Sequence, residues 1–256
     1  MRKLIMLFVF LIPIALMAQK NTEGEITYIE SYEIDFEKQF EGNEERYERM
    51  KDMLEEFKEQ RMEKVLYFNK KESLFHAVEK EEEPDFGGGN RMKMMMMRMN
   101  NPENKVYRDI QNNKVTEKQE FMGKMFLIKD EFEAKKWKFT GESEKIAGYM
   151  CQKASFKDTT TTIDVWFTTQ IPVPAGPNTY GQLPGMILKV HEVGGKGKRM
   201  GERTVVATKV DLKKLDKKTI IEPAKGKEVT REEYHATVKA KMEEMRQNGG
   251  GWGRHH

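Results

Sequence analysis

"KMFLIKD" (residues 124–130), "WKFTG" (137–141), "GYMCQKASF" (148–156) and "TTIDVWFTT" (161–169) follow one another with only short polar or glycine-bearing breaks between them. Each is of strand length and rich in aromatic and β-branched residues, and no helical period intervenes. "GMILKVHEV" (185–193) and "RTVVATKVDL" (203–212) extend the series downstream. Upstream, "KVLYFN" (64–69) and "SLFHAVE" (73–79) flank a polar turn, and "KVYRDI" (105–110) and "KVTEKQEF" (114–121) flank "QNN". Short strands at this spacing predict a mainly β fold, a large bent antiparallel sheet or an open barrel or sandwich.

The first strand lies earlier, in "EITYIESYEIDF" (25–36). Ile26, Tyr28, Tyr32, Ile34 and Phe36 recur there at period two, which buries one face. From Asn43 the period lengthens. Tyr47, Met50, Leu54, Phe57 and Arg61 recur at three- and four-residue steps among Glu and Lys, predicting one amphipathic helix after the first strand. Met50, Met53 and Met62 are read there as packing groups. A second helix is predicted in "TREEYHATVKAKMEEMRQN" (230–248), where Thr230 and Glu233 form a capping box. Tyr234, Val238, Met242 and Met245 make its apolar face.

The chain opens "MRKLIMLFVFLIPIALMAQ", a basic start, an apolar run and a small residue at Ala18, the layout of a cleavable signal peptide over 1–18. The run is short for a membrane span, and no transmembrane span is expected in the mature chain. A periplasmic location follows from that leader. The expected organisation is a β-rich domain over 19–225 carrying a Met-rich loop at 87–100, a C-terminal helix over 226–248, and a mobile tail over 249–256. Lys and Arg total 45 against 42 Asp and Glu, interspersed rather than striped, which does not suggest nucleic acid. Cys151 is the one cysteine, so no internal disulfide supports the fold. On its strand it reads as a buried thiol.

"YGQLPGMILKV" (180–190), preceded by "KIAGYMCQKA" (145–154) and "DVWFTTQIPVPAGPNTY" (164–180), resembles the GLPGLI family of exported envelope proteins. Lys145, Ile146, Gly148, Tyr149, Cys151 and Ala154 are similar to its first block. Trp166, Ile171, Pro172, Gly176 and Pro177 are similar to its second, and Gly181, Leu183, Pro184, Gly185, Ile187 and Leu188 to its third. Gln182 is an extra residue within the motif, and Met186 stands where Leu is usual. The resemblance implies an address and a fold type without a reaction. Read physically, Pro184 and Gly185 suit a type II turn with positive φ at the glycine, and the prolines of 171–180 suit an extended crossing between strands. Trp166, Pro172, Gly176, Pro177, Tyr180, Leu183, Pro184 and Gly185 are the expected floor of a groove for an envelope protein, peptide or lipid.

"RMKMMMMRMN" (91–100) places six methionines in ten residues after "EEEPDFGGGN". Thioethers are soft ligands suited to Cu(I), which makes Met92, Met94, Met96 and Met99 the candidate metal residues, with His255 and His256 adding imidazoles. G-x-S-x-G, H-E-x-x-H, P-loop and C-x-x-C patterns are absent from the sequence. The leading expectation is therefore a soluble periplasmic binding or protein-interaction module without a catalytic centre. A copper-handling protein is the second reading, and a thiol enzyme or hydrolase the third.

Overall fold

The structure is a computed structural model that describes residues 22–33, 41–79, 100–132, 134–194 and 201–248. The expected leader over 1–18, the methionines Met92, Met94, Met96 and Met99, and the tail with His255 and His256 lie outside the described residues. Within them, 12 strands hydrogen-bond into one sheet.

Strands β1 (Gly24–Glu33), β2 (Met62–Phe68), β3 (Glu72–Ala77), β4 (Lys105–Asp109), β5 (Lys114–Phe121) and β6 (Lys124–Glu131) form one meander. Strands β7 (Lys138–Ile146), β8 (Tyr149–Lys157), β9 (Thr161–Thr168), β10 (Met186–Gly194) and β11 (Glu202–Asp211) form a second. The two meanders join where β1 pairs antiparallel with β11. A short β12 (Lys227–Val229) adds a parallel strand beside β6. The sheet is thus mainly antiparallel, as the turn spacing predicts. At the β7–β8 hairpin the connection is Ala147 and Gly148, with φ of 47° and 90°, the two left-handed residues of a type I′ turn.

The sheet is strongly bent. Neighbouring strands lie roughly 4.8 Å apart, so in a flat sheet β7 would stand well clear of β11, four places away. Instead β7 comes back against β11. The Tyr28 hydroxyl on β1 likewise donates 2.7 Å to the carbonyl of Ile187, at the start of β10.

One face of the sheet is the inside of this bend. Ile26, Tyr28, Leu66, Phe68, Phe75, Val106, Val165, Phe167, Val205 and Ala207 form one buried cluster on it. The crossing between β9 and β10 enters the bend and contributes Ile171, Val173, Ala175, Tyr180 and Leu183 to that cluster. On the opposite face Leu74 and Tyr107 are covered by Ile220.

Helix α1 (Glu44–Glu59) packs against β1 and buries Leu54. Met62 is buried as expected but opens β2 rather than closing the helix. Helix α2 (Arg231–Asn248) sets Tyr234 edge-on to Phe126 at 5.4 Å. Its capping box is complete. Glu233 N–H donates to Thr230 Oγ1 at 3.1 Å, and Thr230 N–H donates to Glu233 Oε2 at 2.8 Å. Met242, predicted on the apolar face, is 37% exposed, because the contact with β6 is confined to the first turns. With so little packing downstream among the described residues, the cap carries much of the stability of α2. Thr230→Ala is expected to cost that helix about 1 kcal/mol, read as faster amide exchange over 231–248 with β-sheet protection unchanged.

Candidate functional site

The interior of the bend changes character at one end. Because adjacent strands run antiparallel, the last residues of β1, β3, β5 and β10 meet the first residues of β2, β4 and β11 there. Positions that the period-two pattern assigns to the core carry charged or hydroxyl groups instead: Glu30 and Tyr32 after Tyr28, Lys64 before Leu66, Glu192 after Val190, and Arg203 before Val205.

Glu30 is 5% exposed. Its Oε1 accepts from Arg203 Nε at 2.5 Å and from the Tyr32 hydroxyl at 2.7 Å, and its Oε2 lies 3.6 Å from Lys64 Nζ. Arg203 reaches onward to Glu192 Oε2 at 3.4 Å, and the same oxygen accepts from the Tyr180 hydroxyl at 2.8 Å. Two cations are thus interleaved with two carboxylates. Burial would raise the Glu30 carboxyl, but Arg203 and then Lys64 outweigh it and hold the group below its ordinary range. Glu30 is therefore ionised at neutral pH, an acceptor of hydrogen bonds rather than a proton donor. Burial pushes the Lys64 ammonium down, with Glu30 opposing. Burial and then Glu192 push the Tyr180 hydroxyl up, so it stays a donor.

Beside this network lies a pocket of ≈ 210 Å³. Glu30, Tyr32, Lys64 and Arg203 form its polar wall, Phe75, Ala77 and Val106 its apolar floor, and Asn101, Asn104, Gln119 and Asn178 its amide rim. Asn101 and Asn104 are held by Glu120: Asn101 Nδ2 donates to its carboxylate at 3.3 Å, and Asn104 Oδ1 accepts from its backbone N–H at 2.6 Å. Ala77 and Asn101 also bracket the connection that carries the Met-rich stretch, whose own residues up to Met99 are outside those described.

The residues expected to floor a groove are distributed differently. Tyr180 joins the ion network. Gly176, Pro177, Leu183 and Gly185 are buried within the crossing, and Pro172 and Pro184 are exposed. Trp166 alternates with the inward Val165 and Phe167, and its ring lies beneath Lys189 Nζ at 4.3 Å and Lys153 Nζ at 5.4 Å. The structure does not bring it together with the others.

The turn expected at Pro184-Gly185 is corrected. Gly185 N–H donates to Leu183 O at 2.7 Å, a bond that skips one residue and centres on Pro184. Val173 to Ile171 and Ala175 to Val173 repeat it, each at 2.8 Å, around Pro172 and Pro174. Proline's fixed φ near −65° suits the centre of such an inverse γ-turn. Positive φ falls not on Gly185 but on Gln182, at 62°, whose side chain donates to Asn113 Oδ1 at 2.9 Å. Glycine is needed at 185 for another reason: a Cβ there would stand 2.0 Å from Thr168 O.

Below the crossing, Arg108 is 3% exposed, donates to Tyr180 O at 2.8 Å, and lies 3.9 Å over the Phe132 ring. Burial pulls its guanidinium down to about 10. Cys151 is fully buried, and burial, with Glu144 nearby, pushes its thiol up to about 11, which removes it as a nucleophile at neutral pH.

The sequence signal that was missed is the run of charged residues at inward register positions on four strands. Each strand taken alone looks like an ordinary solvated end.

A family model described as "N-glycanase peptide, N-terminal domain" matches residues 90–235. Two solved structures of PNGF-II, in C2 and P21 space groups, share this fold with TM-scores of 0.54 and 0.53 at 21% identity. They cover 85% of this chain, which spans only 32% and 33% of theirs, about a third of their length. No curated protein matches the sequence.

These findings overturn the resemblance to the GLPGLI family, whose quoted blocks all lie inside the matched 90–235. The physical reason is visible in the crossing. Its glycines and prolines answer to close approach and γ-turns, demands of the backbone that do not single out one family. The functional expectation falls with it. A binding or interaction module without a catalytic centre, with its copper-handling and thiol-enzyme alternatives, gives way to the family whose model matches residues 90–235.

Proposed function

This chain belongs to the family described as N-glycanase peptide, N-terminal domain, and from that premise we propose that it works in the hydrolytic removal of N-linked glycans from proteins. The observation that carries the reading is the family match over 90–235, which takes in the amide rim of the pocket from Asn101 to Asn178. The chain's share in that work is to engage the carbohydrate. Hydrolysis belongs to the glycanase as a whole, of whose solved structures this chain spans about a third.

The pocket chemistry supports this division. Sugars offer hydroxyls and ring faces, and a polar wall with a small apolar floor meets both. Glu30, held ionised, accepts from hydroxyl donors, while the carboxamides both donate and accept. The test is binding of an N-glycopeptide against the same peptide without its glycan, measured by titration calorimetry with the full chain. Tighter binding of the glycosylated form is expected, by at least tenfold. Equal affinity for the two would overturn the reading.

A further inference from the structure

The pocket at the polar end of the bend has features that specify more than contact with carbohydrate in general. Its volume, ≈ 210 Å³, is the share of about seven liquid waters at roughly 30 Å³ each. That is on the scale of one sugar ring.

Among the described residues its charges are balanced. Lys64 and Arg203 face Glu30 directly, and Arg203 also meets Glu192, which Tyr180 satisfies further. A balanced network of two cations and two carboxylates gives little net attraction to an incoming anion.

The rim divides into satisfied and free groups. Asn101 and Asn104 are tied to Glu120. The side chains of Gln119 and Asn178 make no hydrogen bond among the described residues, yet both line the pocket. Gln119 sits on the inward register of β5, opposite Phe126. Asn178 has φ of 50°, a left-handed conformation that asparagine tolerates better than most residues and that fixes where its side chain leaves the crossing. Two free carboxamides on two different elements converge over an apolar floor of Phe75, Ala77 and Val106.

We propose that this pocket holds one neutral sugar ring of a glycan, its hydroxyls bound by Gln119 and Asn178 and its less polar face set against Phe75. The assignment rests on the glycan reading given above and adds to it a site, a size and a charge class.

The test titrates the full chain with methyl glycosides of a neutral hexose and of an N-acetylhexosamine, and separately with the N-glycopeptide, following binding by NMR. Gln119→Ala and Asn178→Gly are combined in one variant. The glycine keeps the left-handed backbone available while removing the amide, so the fold is preserved, checked as an unchanged melting temperature. At least one methyl glycoside is expected to bind in the millimolar range and to be weakened about tenfold or more in the variant, the scale of losing two hydrogen-bonding side chains. Glycopeptide affinity should fall in parallel. Glycopeptide binding that the variant leaves unchanged would overturn the pocket while leaving the glycan reading intact. Absence of binding to glycopeptide and glycosides alike would overturn both. Displacement of the glycoside by inorganic phosphate would overturn the neutral class.

Discussion

Gly185→Ala is expected to destabilise the protein by about 3 kcal/mol or more, the upper range of forced overpacking. The added carbon would lie 2.0 Å from Thr168 O and 2.6 Å from Thr168 C, far inside van der Waals contact. The neighbour is backbone, and Thr168 is paired with Met186 in the β9–β10 ladder, so it cannot give without breaking that register. The crossing has no freedom to move away either. Met186 N–H donates to Ile171 O at 3.0 Å and Ile187 N–H to Ala175 O at 2.9 Å, stitching its two ends into the core. Pro184→Ala, one residue earlier, serves as the control. Pro184 is exposed at the centre of a γ-turn, so its loss acts mainly through the unfolded chain and should cost at most about 1 kcal/mol. Urea unfolding of both variants measures the contrast. A Gly185→Ala protein that unfolds with the wild type would show that the close approach to Thr168 is not a constraint.

That contrast also marks where the sequence is legible. Period-two alternation in "EITYIESYE" and "TTIDVWFTT" identifies strands because side chains must alternate across a sheet, and the capping box at Thr230 is a local hydrogen-bond pattern that needs no tertiary context. The turn at Pro184 is different. A type II turn and a γ-turn both welcome proline, and glycine serves positive φ and close approach equally well. Only the position of Thr168, distant in sequence, separates the two. Trp166 misleads for a similar reason. Its neighbours in sequence are buried, but the pleat turns it outward under two lysines. The pocket was unreadable because its signal is a conjunction. Glu30, Lys64, Glu192 and Arg203 each interrupt an apolar stripe by one residue, and only the order of strands in the sheet shows that all four interruptions fall at one end.

The second large effect is expected at Glu30, and its sign with pH follows from that network. Glu30→Gln keeps the volume and removes the charge, leaving Lys64 and Arg203 buried beside each other without their shared carboxylate. Removing one partner of a buried ion pair ordinarily costs about 3–5 kcal/mol, because the remaining charge stays desolvated. Arg203 retains Glu192 at 3.4 Å, so the lower end of that range applies, and Lys64 loses the carboxylate that opposes the effect of its burial. Lys64→Met in the same chain should therefore recover part of the loss, a coupling that a double-mutant cycle isolates. The wild-type carboxyl has a folded pKa below its ordinary value, through Arg203 and Lys64 against the opposing effect of burial. Its contribution to stability is thus fully present above the unfolded carboxylate pKa and is lost as pH falls through the depressed folded value. The glutamine variant has no such group. The stability gap between wild type and Glu30→Gln, measured by urea unfolding, should be widest at neutral pH and narrow steadily on the acid side, and a gap that stays constant with pH would show that Glu30 acts through its shape and hydrogen bonds rather than its charge.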